Sequence, residues 1–261
     1  MSSTAQLLDQ RATGHVKLHF GADGVVRLRE QGSAKIRIPP KSNEAILINT
    51  AGGLAGGDEV WVDLGVESGA KLCVTSQSAE RVYRTIGPSA SVHLEISVAA
   101  QGNLQWLPRE TILFDGSSLD RTINVKLATS ARFLGLESVV FGREHSGEKI
   151  SALKYFESWH IEREGKLFHA ERFVLDGALP RSKATLADAG AIATLILVDK
   201  NVESMAERVL PAIGKNGGVS AWNGKMVARL HAADGFQLRK VLNSVLCEIV
   251  GKTHLPKTWN I

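Results

Sequence analysis

Asn49-Thr-Ala-Gly-Gly-Leu-Ala-Gly-Gly-Asp58 follows the apolar run Ala45 to Ile48 and precedes the strand-like Val60 to Leu64. As a phosphate cradle it would make the chain an α/β protein; as a connection between strands it makes it a β protein. Glycine lacks a Cβ, so two glycine pairs suit a loop that takes positive φ angles or admits another surface at close range. A phosphate loop, however, needs a lysine and a hydroxyl after its last glycine, and the dinucleotide fingerprint must open a helix. Here Gly57 is followed by Asp58 and Glu59. Two carboxylates repel a phosphate, and the residues that follow alternate like a strand. The stretch reads as a turn between two strands, with Asn49, Gly52, Gly53, Gly56 and Gly57 setting its geometry.

The rest of the chain agrees. From His15 onward, short segments of strand character recur between Gly, Pro, Asp and Ser: Val16 to Phe20, Val60 to Val66, Lys71 to Thr75, Val92 to Val98, Leu104 to Leu107, Ile123 to Leu127 and Phe133 to Phe141. No helical pattern interrupts them, which excludes a doubly wound α/β sheet and leaves a sandwich, barrel or stacked β coil. Ala191 to Val198 reads as a buried strand. Val202, Met205, Ala206, Val209, Leu210 and Ile213 then follow helical spacing, as do Leu238, Val241, Leu242, Val245, Leu246 and Ile249, ending near Gly251. Between the helices, Asn223-Gly224 marks a hairpin. The fold expected is mainly β: a helically coiled or stacked β body with a small C-terminal α+β part carrying two helices. Residues 1–12 read as a flexible N-terminus, 13–187 as the β body and 188–261 as an α+β lobe packed on it, in one continuous domain.

At 261 residues and 44% hydrophobic content the chain can bury a full core. Its longest apolar run, Ala191 to Val198, is too short to span a bilayer, and no signal-peptide pattern opens it, so the expectation is cytoplasmic, with no membrane partner. Cys73 and Cys247 lack a C-x-x-C spacing and read as reduced core thiols. A net charge of +4 without an aromatic-interleaved basic run gives no footprint for nucleic acid. Arg27 and Arg29, then Lys35 and Arg37, alternate with apolar residues across Gly32. Period two places these cations on one face of a hairpin, as a solvated face or as a docking patch for an acidic protein.

Phe156 to Asp176 reads as a long hairpin turning at Glu164-Gly165. In that register Trp159 faces Ala170, His160 faces His169 and Ser158 faces Glu171, so two imidazoles and a carboxylate share one side. That set suits nickel or zinc, or is simply the wet face of the pair. No nucleophile elbow, H-E-x-x-H or phosphate loop is present. The acids Asp58, Glu80, Glu110, Asp115, Glu137 and Glu171 exceed what structural loops need, and leave open a carboxylate-based hydrolase or transferase.

Three segments, Asn49 to Asp58, Thr75-Ser-Gln-Ser-Ala-Glu-Arg-Val-Tyr-Arg84 and Leu107-Pro-Arg-Glu-Thr-Ile-Leu-Phe-Asp-Gly116, resemble in order and spacing the urease accessory protein family UreD, called UreH in some systems. Arg132-Phe-Leu-Gly-Leu-Glu137, Gly142-Arg143 and Ser146-Gly-Glu148 are similar to it too. The departures are Arg109, where the family usually has glutamine, and Ser76 and Ser78, where threonine or proline and alanine are common. The resemblance implies a non-enzymatic scaffold with a coiled β fold and two helices. It would dock apo-urease and UreF, which recruits the GTPase UreG, while nickel passes toward the urease active site, bound only transiently and with no tightly held cofactor.

By this likeness Asp58, Glu137 and Glu171 with Thr75 and Ser76 are candidates for a polar passage, to which His160 and His169 add imidazole. Glu80, Tyr83, Arg84, Glu110 and Asp115 join the loop glycines as structural or interface residues. An ion in transit needs oxygen or imidazole groups that release it, which carboxylates do better than thiolates. The double variant Cys73→Ser, Cys247→Ser is therefore expected to activate urease normally; loss of activation in a folded double variant would count against a thiol-free route.

Overall fold

The computed structural model describes residues 11–143, 147–182, 184–252 and 255–259. Most of the expected flexible N-terminus, and Ser146, lie outside them. Alternating apolar and polar residues produce strands that bury one face, and the chain winds these strands into a three-sided coil. It begins with the hairpin β1 (Thr13–Gly21) and β2 (Gly24–Gly32), then β3 (Ala34–Arg37) and β4 (Glu44–Asn49). One circuit follows as β5 (Glu59–Val66), β6 (Lys71–Ser76) and the short β7 (Glu80–Val82), and a second as β8 (Ala90–Val98), β9 (Asn103–Trp106) and β10 (Thr111–Leu113). In the third, β11 (Ser118–Leu127) is followed by β12 (Arg132–Phe141), long enough to make two sides: Arg132–Gly135 pair with β9, and 139–141 pair with β10.

Successive circuits pair in parallel. β1, β5, β8, β11 and β13 (Leu153–Arg163) run side by side in one sheet, and β4, β6, β9 and β12 in the other. Antiparallel strands flank them: β2 on β1, β14 (Lys166–Gly177) on β13, β3 on β4, and β15 (Ala191–Val198), β17 (Lys225–Ala232) and β16 (Gly217–Trp222) in turn beyond β12. The stacked β body and the two C-terminal helices match the sequence reading.

The glycine stretch departs from its expected role. β4 and β5 belong to different sheets, so residues 50–58 are a crossover, not a turn between paired strands. Within it the Leu54 N–H donates to the Arg81 carbonyl (2.7 Å) and the Tyr83 N–H donates to the Leu54 carbonyl (2.8 Å). Leu54 thereby joins Val82, Leu113 and Phe141 as the first rung of the coil's third side. The three motifs that carry the family resemblance are thus successive layers of one corner. Their glycines permit the stacking: a Cβ on Gly53 would press into the Tyr83 ring, and one on Gly56 would overlap the Thr85 hydroxyl and lie 2.6 Å from the Pro88 carbonyl oxygen.

The main core fills the space between the two sheets, from Val16 and Leu18 through Leu94 and Ile123 to Trp159 and Ile161. A second core lies on the outer side of β12, β15 and β17, under α1 (Val202–Ile213) and α2 (Gly235–Val250). β15 is apolar except at Thr194 because Ile196 and Val198 face the first core while Leu195 and Leu197 face the second. Asp234 caps α2, its carboxylate accepting from the Gln237 N–H at 2.7 Å. No described helix is long and apolar enough to cross a membrane. The expected cationic hairpin is not formed. The chain changes sheet after Gly32, so Arg27 and Arg29 lie on the exposed edge strand β2, whereas Lys35 and Arg37 lie on β3 in the other sheet.

These contacts set an expectation for the loop. Gly56→Ala forces the crossover off the Thr85–Pro88 segment and should cost about 1–3 kcal/mol or more. Gly69→Ala, where a Cβ meets nothing within 4 Å and only a φ of +71° is strained, should cost about 1 kcal/mol. Urea unfolding of the two variants checks the order; equal losses would mean that the stacking is not tight.

Candidate functional site

Along β11 the inward positions read Leu119, Arg121, Ile123, Val125 and Leu127, and along β13 Leu153, Tyr155, Glu157, Trp159 and Ile161. Arg121 and Glu157 therefore enter the core at apolar positions, opposite each other in register. Glu137 reaches them from β12 in the facing sheet. The Arg121 guanidinium donates to Glu137, to Glu157 (3.3 Å), to the Thr111 hydroxyl (2.6 Å) and, at 3.5 Å, to the Tyr155 oxygen. Tyr155 donates in turn to Glu157. The far oxygens of the two carboxylates accept indole N–H groups, Glu137 from Trp106 (2.8 Å) and Glu157 from Trp159 (3.0 Å). Side-chain exposures of 5–7% put the ion pairs out of reach of bulk water.

Such a group is expensive to bury, and its acidity records that. Burial pushes the Glu137 carboxyl up to about 7, against the pull of Arg121 and with the help of Glu157. Burial and the neighbouring Glu157 likewise raise the Tyr155 phenol. Burial alone would lower the Arg121 value, but Glu137 and its neighbours more than offset this and keep the guanidinium charged.

Three cavities with mixed, mainly apolar linings follow one another past this cluster. One of about 140 Å³ is rimmed by the exposed Gly52, Gln77 and Ser78 and holds Asn49 and Glu80. It shares Leu47, Val60, Ser76 and Glu80 with an inner cavity of about 70 Å³ that ends on Thr111, Arg121 and Glu137. Beyond Glu137, a third of about 200 Å³ is lined by Tyr155, Glu157 and Glu171 and opens between Thr185, Arg229 and His231. Larger grooves of about 530 and 510 Å³ lie beside His19 and beside Ile86; the first also gathers Glu67, Lys126, Glu162 and Glu164, but none of these is buried. Glu80 accepts from the Asn49 amide (3.1 Å); burial raises its carboxyl in spite of that bond. At the other mouth burial would raise Glu171, yet the nearby His169 and the hydrogen-bonded Arg229 hold it below the ordinary carboxylate value.

Several residues singled out from sequence fall elsewhere. Asp58 lines none of these cavities: its carboxylate accepts the Ala12 N–H (2.8 Å) and the Ala55 N–H (2.7 Å) and fastens the crossover. Thr75 points away from the main core and bonds Thr258 at 2.8 Å, under the C-terminal segment. Ser76 does line the first two cavities and accepts the Arg109 N–H at 2.8 Å. His160 and His169 do not face each other. Phe168 is a bulge, so the register beyond it shifts by one residue, pairing His160 with Ala170 and Ile161 with His169. His160 is consequently on the outer surface beside Glu162, whereas His169 is buried, 3.5 Å from Glu171. Among the described residues no group of three or more His, Cys, Asp or Glu is placed to hold a metal ion.

The loop residues tie the corner together. Tyr83 packs edge-on against Phe114 and donates to the Gly52 carbonyl (3.2 Å), and Arg84 pairs with Asp115. Hydrogen bonds from the Ser151 hydroxyl and amide hold the Asp115 carboxyl down to about 2. Glu110 receives Arg239 of α2, and Arg109 reaches the Thr258 carbonyl. Two charged members of the central cluster, Arg121 and Glu157, were not singled out from sequence. The available signal was a charge at an inward position of an otherwise apolar alternation.

A family model described as UreD urease accessory protein matches residues 12–260. The chain belongs to the UreD family of urease accessory proteins. Urease accessory protein UreD of Mesorhizobium japonicum is 41% identical, with 97% of this chain and 96% of that protein covered. The UreD of Rhizobium leguminosarum bv. trifolii is 42% identical with both chains fully covered, and UreD 1 of Brucella abortus 38% identical with 95% and 93% covered. The role of this UreD-family chain is accessory to urease and not catalytic.

The central cluster makes stability depend on pH. With its folded value raised from 4.5 to about 7, Glu137 keeps a proton that the unfolded chain releases between those values. Its contribution is thus complete below 4.5 and is lost as pH rises through 7, by on the order of 3 kcal/mol. Compared with Glu137→Gln, the parent protein should lose stability between pH 5 and pH 8 in urea unfolding; a pH-independent difference would contradict the assignment.

Proposed function

We propose that this chain is a scaffold subunit of urease maturation that docks apo-urease and the UreF–UreG machinery and gives nickel an interior route between them. A row of cavities carries the reading: their walls are mainly apolar, but carboxylates recur from the Asn49–Ser78 mouth through Glu80, Glu137 and Glu157 to the Glu171–His231 mouth. Carboxylates recur along it singly or in pairs, which suits an ion that must be released again. The thiols stand apart from this row. Cys73 faces the second core, and burial followed by Glu44 pushes it up to about 12, leaving it a neutral and poor ligand. Docking of UreF, UreG and apo-urease rests on the family resemblance, and a cytoplasmic setting on the sequence pattern read above.

Co-expression with apo-urease and its accessory partners, scoring complex formation and nickel content of urease, tests the reading. Glu171→Gln and Glu80→Gln should leave the complex intact and lower urease nickel several-fold. Asp58→Ala should instead lose soluble protein, because two backbone N–H groups lose their acceptor, at about 1–3 kcal/mol each. Undiminished nickel in both glutamine variants would remove the passage.

A further inference from the structure

The row of cavities is interrupted once, and the interruption is an arginine. Arg121 lines the end of the 70 Å³ cavity, and Tyr155 and Glu157 line the near wall of the 200 Å³ cavity, with Glu137 common to both. The Arg121–Glu137–Glu157 cluster is therefore the partition between the two halves. One nitrogen of the guanidinium, Nη1, lies within hydrogen-bond reach of both an Oε2 of Glu137 and an Oε2 of Glu157. A single positive atom thus occupies the place where two carboxylates converge. Trp106 and Trp159 hold the other oxygens from behind, so both carboxylates stay aimed at that place whether or not the guanidinium is there.

An arginine does not surrender its charge near neutral pH. A divalent cation arriving from either side meets a fixed like charge, and the path opens only when the guanidinium moves. Building on the passage proposed above, we infer that Arg121 is its gate: the guanidinium sits as a built-in cation between Glu137 and Glu157, and a divalent metal ion crosses by displacing it. Two carboxylates, with no third acidic or imidazole ligand among the described residues, suit a seat for transit rather than for storage.

The gate is tested on the full purified chain by equilibrium dialysis against nickel(II) chloride. The parent protein should retain nickel poorly. Arg121→Met, which vacates the seat, should retain at least ten-fold more, and adding Glu137→Gln to it should abolish the gain. Arg121→Lys keeps the charge but not the bridging fork, and should fall between parent and Arg121→Met; it serves if Arg121→Met does not fold. Uptake equal to the parent in whichever folded variant is measured overturns the gate. The passage is scored separately by urease nickel content. Lowered loading with Glu171→Gln and Glu80→Gln, together with parent-like uptake by the Arg121 variants, would refute the gate alone. Uptake by Arg121→Met alongside normal loading in those glutamine variants would refute the passage and leave the cation seat standing.

Discussion

Parallel pairing between successive circuits is the constraint on which this molecule rests. Every buried backbone N–H and C=O must find a partner, and in a coil those partners lie one circuit away, so each side must repeat in register. The two long sides repeat as sheets. The third repeats through Leu54, Val82, Leu113 and Phe141, which brings segments far apart in sequence together at one corner. The glycines of the first segment are needed because its backbone passes where Tyr83, Thr85 and Pro88 already stand.

The same regularity sets the charges. On the rung Val60, Val92, Arg121 and Glu157 the stack changes from apolar to ionic at one strand boundary, with neighbours about 4.8 Å apart. Glu137 comes from the facing sheet across a core that is otherwise filled by aliphatic and aromatic side chains. Removing one partner of a buried ion pair costs about 3–5 kcal/mol, yet replacing a whole set with apolar groups is often neutral or stabilising. A stable coil has no need of the cluster, so its presence argues for a use beyond stability. Its position at the junction of two cavities gives that use a direction.

Much of the fold was legible because period two and the punctuation by Gly, Asp, Ser and Pro mark strands well. Sheet membership was not, since alternation says which face is buried and not which sheet a strand joins; hence the mistaken pairing of Arg27 and Arg29 with Lys35 and Arg37. The turns at Glu164-Gly165 and Asn223-Gly224 were readable, with φ values of 51°, 69°, 49° and 76°. The register after the first was not, because nothing in the sequence distinguishes Phe168 as the unpaired residue of a bulge. Glu137 was picked out by likeness to a family and lies in the buried Arg121 cluster. Arg121 and Glu157 were readable from parity alone, while Asp58, the most conspicuous acid, turned out to hold backbone. A carboxylate beside glycines is as well suited to tying a loop as to meeting an ion.

Both ends of the parallel stack are closed by strands that run the other way. β2 lies antiparallel on β1 and β14 antiparallel on β13, so neither terminal edge presents the direction in which the coil itself propagates. A coil of identical circuits invites end-to-end growth into fibres, as any open sheet edge does. Here the outermost strand at one end also carries Arg27, Arg29 and Glu30, and the one at the other Arg172 and Asp176. The reversal of strand sense, with charge spread along it, keeps a repetitive architecture finite.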